Sequence, residues 1–300
     1  MRTVAAVAMV LMVAAGAWAY NPHTAHPLYL PPVPDEVMPT VDGVLDEWGW
    51  VPDDWVYTLS ECLDKPAENP PRAGGGEEYT GAGDWDVPFL FVGYNATTDV
   101  LVVAAQVVDD VGYWPSENPF ETWKGMDSIY WYVNGDGQGG PYQYEEGLHA
   151  ERAWQGIWRP DLDNWWGAYS WSEEERWPFT PPYLVSGLVL DKTTGSYTME
   201  ATITVFDWCD HTGPDASTVH DMEAGSEFGM RFTLFDVDSE SDQDYAYLTF
   251  NGPNPEGIDN AFTADNFERA VCLSFEDAYP GGIKVAVEPS TWGQIKSMLK

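Results

Sequence analysis

Apolar and polar residues alternate with a period of two along most of this chain. Between 197 and 205, Tyr197, Met199, Ala201, Ile203 and Val205 fall on one side, and Thr198, Glu200, Thr202 and Thr204 on the other. Phe228, Met230, Phe232 and Leu234 repeat the pattern around Gly229, Arg231 and Thr233. One apolar face and one polar face at period two is the mark of antiparallel strands packed on one side. Similar runs at 89–94, 100–108, 128–133, 185–190, 245–250, 270–275 and 283–287 predict further strands, with 191–195 as a turn. With almost no helical periodicity, the pattern predicts an all-β fold, an antiparallel β-sandwich of jelly-roll or immunoglobulin-like type.

Three stretches break the alternation. Residues 20–40 hold Pro22, Pro27, Pro31, Pro32, Pro34 and Pro39 and read as an extended leader outside the sandwich. Residues 64–86 are a Pro/Gly loop. Residues 138–183 form a long insertion holding six of the chain's 16 tryptophans: Trp154, Trp158, Trp165, Trp166, Trp171 and Trp177. Pro160, Gly167, Pro178 and several acids interrupt that run, so it reads as a polar loop with protruding rings. A core seldom takes so many indoles together, because each buried N–H needs a partner.

The first nineteen residues have the form of an export signal, with Arg2 ahead of an apolar run and Ala17-Trp18-Ala19 before a cut at Tyr20. The expected destination is secreted or periplasmic. The domain organisation is then 1–19 signal, 20–40 leader, 41–287 one sandwich domain, and 288–300 a tail in which Trp292, Ile295 and Leu299 share a helical face. That tail could meet a partner protein on the cell surface. No later segment is long and apolar enough to predict a membrane span.

Charge narrows the functional classes. The balance of 13 Lys+Arg against 49 Asp+Glu gives −36 at neutral pH, which repels nucleic acid and anionic lipid and attracts cations. Most of these acids read as a solubilising or salt-adapted surface, so only clustered carboxylates point to a metal. Cys62, Cys209 and Cys272 have no metal-binding spacing; one disulfide with a third thiol, or three buried thiols, both fit. Neither a nucleophile–histidine motif nor a phosphate loop is present. Paired acids arise by chance among 49, so they do not argue for glycoside hydrolysis.

Several blocks carry a resemblance. The run Val41-Asp42-Gly43-Val44-Leu45-Asp46-Glu47-Trp48 opens the series. It is followed by Val92-Gly93-Tyr94, the strand ending in Asp109-Asp110, Trp123-Lys124-Gly125-Met126-Asp127-Ser128-Ile129, Glu200-Ala201-Thr202-Ile203, and Phe228-Gly229-Met230-Arg231-Phe232 leading to Asp236-Val237-Asp238. In this order the blocks resemble family 9 carbohydrate-binding modules over roughly 35–275, insertion excluded. The resemblance implies an exported sugar-binding sandwich whose first block is a strand and turn. Tyr130 and Asn134 stand where the family commonly has a glutamate and an aspartate, so sugar specificity does not carry over.

The candidate carbohydrate-binding residues are therefore Trp123, Trp154, Trp158, Trp165, Trp166, Trp171 and Trp177 for stacking, with Glu145, Arg152, Arg159 and Asn164 to bond hydroxyls. Calcium is the expected cofactor. Its candidate ligands are Asp109, Asp110 and Asp127, the Asn134–Asp136 turn, and Asp236, Asp238, Asp242 and Asp244, since hard cations take several oxygens from Asp/Asn-rich loops. The expected function is non-catalytic binding of a polysaccharide or oligosaccharide. The alternatives are a cell-surface assembly protein using the tryptophan-rich insertion as an interface, and a glycoside-active enzyme.

Overall fold

The computed structural model describes residues 27–61, 63–64, 85–116, 126–137, 154–162, 164–167, 177–239, 242–247 and 267–283. Two sheets face one another. The smaller is fully antiparallel and contains β3 (Asp86–Asn95), β4 (Val100–Val108), β8 (Leu184–Leu190) and β9 (Tyr197–Thr204) in the order β3-β4-β9-β8. The larger contains β1 (Leu28–Leu30), β2 (Leu63–Asp64), β5 (Ser128–Asn134), β6 (Trp154–Arg159), β7 (Asn164–Gly167), β12 (Glu227–Ser239), β13 (Asp242–Tyr247) and β14 (Glu268–Cys272). Its main path is β1-β14-β12-β5-β6-β7, with β13 pairing the far part of β12 and β2 pairing β13. A small ribbon joins β10 (Phe206–Trp208) to β11 (Thr218–Val219), and α1 (Phe275–Ala278) is a single turn capped by Ser274.

The predicted all-β sandwich is what forms, and its core follows the period-two pattern. Tyr197, Met199, Ala201 and Ile203 from β9 meet Phe228, Met230, Phe232 and Leu234 from β12 in one buried cluster. Ile129, Trp131 and Val133 from β5 and Leu101, Val103, Ala105 and Val107 from β4 complete it.

Several expectations need correction. The leader belongs to the sandwich: Leu28 and Leu30 are buried, and β1 pairs in parallel with β14. Val33 N–H then donates to the Tyr94 carbonyl and Tyr94 N–H to that of Pro31, so the same segment also touches the small sheet. Prolines permit this because an edge position needs few backbone donors. The tryptophan-rich run is not a loop throughout, since β6 and β7 extend the large sheet beyond β5. The Asp42–Trp48 block is not a strand; Leu45–Trp50 is a 3-10 turn with Trp48 and Trp50 buried. Cys209 and Cys272 are buried thiols, and burial pushes the Cys272 thiol up to about 12. Cys62, the predicted strand over 284–287 and the 288–300 tail lie outside the described residues.

The 3-10 turn is fastened to the outer face of β9. Glu200 is wholly buried there, and its carboxylate accepts Asp42 N–H at 3.0 Å, Gly43 N–H at 2.8 Å and Trp48 Nε1–H at 2.6 Å. Gly43 has φ +85° and a Cβ there would lie 2.5 Å from the Leu188 backbone, so the close approach requires glycine. Removing Glu200 would strand two buried donors, Gly43 N–H and Trp48 Nε1–H, each costing about 1–3 kcal/mol, and free the part-buried Asp42 N–H. Glu200→Ala should therefore lower unfolding free energy by at least about 2 kcal/mol, and Glu200→Gln by less, since one amide oxygen still accepts. Urea titration checks this ranking; equal stability in all three proteins contradicts it.

Candidate functional site

At one end of the sandwich, the core-facing columns of three strands, β4, β5 and β12, run into carboxylates. Asp109 continues the inward series of β4 just past Val108, and Asp127 continues that of β5 just before Ser128. Asp236 and Asp238 continue the inward face of β12 beyond Leu234, where the strand has passed its last pair with β5 at Phe235 and Ser128. Carboxylate oxygens of Asp109, Asp236 and Asp238 all lie within 4.8 Å of one another. Asp127 is fixed beside them by Val237 N–H at 2.9 Å and Tyr113 N–H at 2.6 Å. Asp109 takes Val111 N–H at 3.1 Å, and its backbone exchanges two hydrogen bonds with the Ser196 hydroxyl. Gly195, at φ +82°, closes the centre: a Cβ there would sit 2.4 Å from Asp109 Oδ2.

Burial is the main cause of the electrostatics here. It pushes Asp109 up to about 6 against the pull of the Val111 and Asp110 N–H groups, with the Asp238 and Asp110 charges adding to the rise. Burial pushes Asp127 up to about 8, against its two backbone donors, with Asp109 and Asp238 adding. The buried Tyr197 hydroxyl is raised well above its ordinary range by burial and then by Asp127, Asp109 and Asp236. The donor set fits a hard cation: oxygen ligands only, close enough to share one ion at the roughly 2.3–2.6 Å that calcium prefers.

The structure thus brings together acids from two groups that are far apart in sequence, Asp109 and Asp127 with Asp236 and Asp238. It leaves out others. Asp110 is exposed and outside the cluster. Asn134 and Asp136 lie at the opposite end of β5, roughly 20 Å along the strand from Asp127, so they cannot ligate the same ion. Asp244 is the register partner of Asp236, and Asp242 that of Ser239.

Asn134 belongs to a second arrangement, on the outward face of the large sheet. On β5, Tyr130, Tyr132 and Asn134 face away from the core, opposite Thr233, Arg231 and Gly229 of β12. Tyr130 packs on Phe235 at 4.1 Å between centroids, and Tyr132 on Phe267 at 5.7 Å. Asn134 and Thr233 are 0% and 1% exposed, yet neither the Asn134 amide nor the Thr233 hydroxyl has a hydrogen-bond partner. Such groups cost about 1–3 kcal/mol each when buried unpaired. Tyr130, Tyr132 and Arg231 are buried as well, at 8%, 7% and 4% exposure, so this outward face is covered within the chain. Aromatic rings, an arginine and unsatisfied polar groups are nonetheless the ingredients of a polar-ligand site. The signal for it in the sequence was Arg231, the one basic residue in the β12 segment.

The tryptophans divide. Trp158 is wholly buried, opposite Ile129 and edge-on to Tyr197 at 5.3 Å, so it is a core residue and not a stacking platform. Arg159 is also buried and grips Asp161 with two bonds, at 3.0 and 2.7 Å, which removes it from sugar recognition. Trp177 is half-buried, edge-on to Tyr183 and Phe206, with its N–H on the Asp210 carbonyl. Trp154, Trp165, Trp166 and Asn164 are placed as strand positions, opposite Val133, Trp158, Ile157 and Arg159. Trp123, Glu145, Arg152 and Trp171 lie outside the described residues.

No protein-family model and no curated protein sequence matches the chain. Solved structures do. A family 9 carbohydrate-binding module from Caldicellulosiruptor kristjanssonii in complex with cellotriose is 13% identical, with 87% of this chain and 99% of that one covered and a TM-score of 0.48. The same module with glucose gives 12%, 87%, 99% and 0.48. This chain is similar to those modules. Among the described residues, no helix is long and apolar enough to cross a membrane.

Without a bound cation, the acidic centre sets a sign for pH dependence. Folded-state values of about 6 and about 8 for Asp109 and Asp127 exceed the unfolded value of about 3.9. Their contribution is therefore fully present below about pH 4 and is lost as pH rises through the folded values. In EDTA, melting temperature should fall between about pH 4 and 8, and Asp127→Asn should flatten the fall. A metal-free melting temperature that rises across this window, or an unaltered slope in the variant, contradicts the assignment.

Proposed function

We propose that the protein is a non-catalytic carbohydrate-binding protein that works outside the cell, takes a polysaccharide or oligosaccharide on the outward face of its large sheet, and is stabilised by calcium at the acidic centre. The observation that carries the reading is the pair of buried, unpartnered polar groups, Asn134 and Thr233, beside Tyr130, Tyr132 and Arg231. Sugar hydroxyls supply both donors and acceptors to such groups, and a pyranose ring offers apolar C–H faces to tyrosines. Of the tryptophans of the inserted run, Trp166 shares a sheet face with Tyr130 through Ile157 and is a candidate to stack at the same ligand, whereas Trp154 and Trp165 occupy the core-facing register, opposite Val133 and Trp158. Trp171 and Trp123 complete the candidates. Asp109, Asp127, Asp236 and Asp238 would hold the ion, whose charge relieves the repulsion among them.

Two measurements test this reading. On a glycan array followed by calorimetry, the wild-type protein should bind at least one polysaccharide, and Thr233→Val should weaken that binding while stability holds or rises, because the substitution removes an unpaired buried hydroxyl. Absence of binding to every glycan favours the assembly-protein reading instead, and reducing-sugar release from the bound glycan favours an enzyme.

Calcium added after EDTA treatment should raise unfolding free energy by about 2.7 kcal/mol at a hundredfold excess over its dissociation constant. An unchanged melting temperature in calcium, or equal stabilisation by sodium chloride alone, removes the ion from the account.

A further inference from the structure

The outer face of the small sheet carries a cleft that the preceding site does not use. Its volume is about 590 Å³, within the roughly 300–1,000 Å³ of small-ligand sites. The floor comes from the alternation of β9: Ala201 and Ile203 turn into the core, while Thr202 and Thr204 turn outward. In most sheets such positions face open water. Here they are walled in by Met38 from the segment that leads to the Glu200 clasp, by Asp99 in the β3–β4 turn, by Tyr183 just before β8, and by Val219 of the β10–β11 ribbon.

Thr98 is tied to Asn95 by its N–H and its hydroxyl, but other polar groups of this cleft are unspent. Neither Thr202 nor Thr204 makes a side-chain hydrogen bond within the protein, and the Thr204 N–H is already given to the Tyr183 carbonyl at 2.8 Å. Asp99 sits at φ +52°, uncommon for a residue with a side chain. One of its carboxylate oxygens accepts Met222 N–H at 3.0 Å, which aims the group and leaves the other oxygen available. Tyr183 is braced by an edge contact with Trp177 at 4.9 Å and a tilted one with Phe206 at 5.9 Å, so the wall is preorganised.

We propose that this cleft is a second binding site, on the opposite sheet from the first, and that it takes one ring of a neutral hexopyranoside. Two hydroxyls and a carboxylate oxygen match the donors and acceptors along a sugar's edge, and Tyr183, Val219 and Met38 match its C–H surface. Asp99 and the strongly negative chain exclude anionic ligands. A protein with sites on both faces holds two glycan chains at once, or two stretches of one chain, and gains avidity from the pair.

Threonine-methyl NMR on the full chain tests this. The probes are the methyl glycosides of glucose, mannose and galactose, with choline as the cationic alternative. A saturable shift of the Thr202 and Thr204 methyls with at least one hexoside is expected. In Thr202→Val the binding read at Thr204 should weaken about five- to tenfold, as for one lost hydrogen bond. Val219→Trp, which fills the cleft from an exposed position, should abolish it. The Thr233 methyl reports the large-sheet site in the same spectrum, so failure of one site is distinguishable from failure of the other. Unmoved Thr202 and Thr204 methyls with every hexoside, shifts that survive Val219→Trp, or a response to choline alone would each overturn the proposal.

Discussion

Four carboxylates at one end of the sandwich impose the constraint on which the rest of the structure depends. Asp109 comes from the small sheet, and Asp127, Asp236 and Asp238 from the large one. The sheets can close over their shared apolar core only if these like charges are neutralised where they meet. Protonation does so at low pH, consistent with the raised values of Asp109 and Asp127. In the proposed calcium-bound form a divalent cation would do so at neutral pH and turn mutual repulsion into a tie between the sheets. At other places the sheets are joined by ordinary means. The leader strap reaches from β14 to β3, and Tyr94 Oη–H donates to the Leu273 carbonyl at 2.5 Å.

Both outward faces of the sandwich are built over, and on the small sheet this leaves a ligand-sized cleft. Glu200 draws the Asp42–Trp48 segment across one end of β9, and the other end of the same strand is left as the floor of a cleft. On the large sheet, β6 and β7 widen the surface beyond β5. There the outward residues are aromatic, cationic and amide-bearing in place of the usual solvated polar set. Asn134 and Thr233 are buried there without hydrogen-bond partners, which costs stability.

The strands were legible because alternation is local. β4 runs over Val100–Val108, as the sequence pattern predicts, and the inward residues of β9 and β12 are those assigned from periodicity. What was not legible was set by distant contacts. Trp158 reads as a protruding ring in a polar run, and becomes core because β6 pairs with β5 and sets it opposite Ile129. Leu28 and Leu30 lie among prolines, and only β14 gives them a strand to join. The acids at 109 and 127 and those at 236 and 238 read as separate groups; packing of one sheet on the other makes them one. Asn134 reads as the start of a cation-binding turn, but one more residue of strand turns it onto the outward face, among tyrosines and away from the acidic centre.

Metal content measured by mass spectrometry tests the constraint most directly. Wild-type protein and the double variant Asp109→Asn, Asp236→Asn would each be dialysed from millimolar calcium into calcium-free buffer at neutral pH. The account predicts that the variant retains one fewer calcium per chain than the wild type while keeping the same β-rich circular dichroism. Equal calcium content in the two proteins, or none in the wild type, would contradict it.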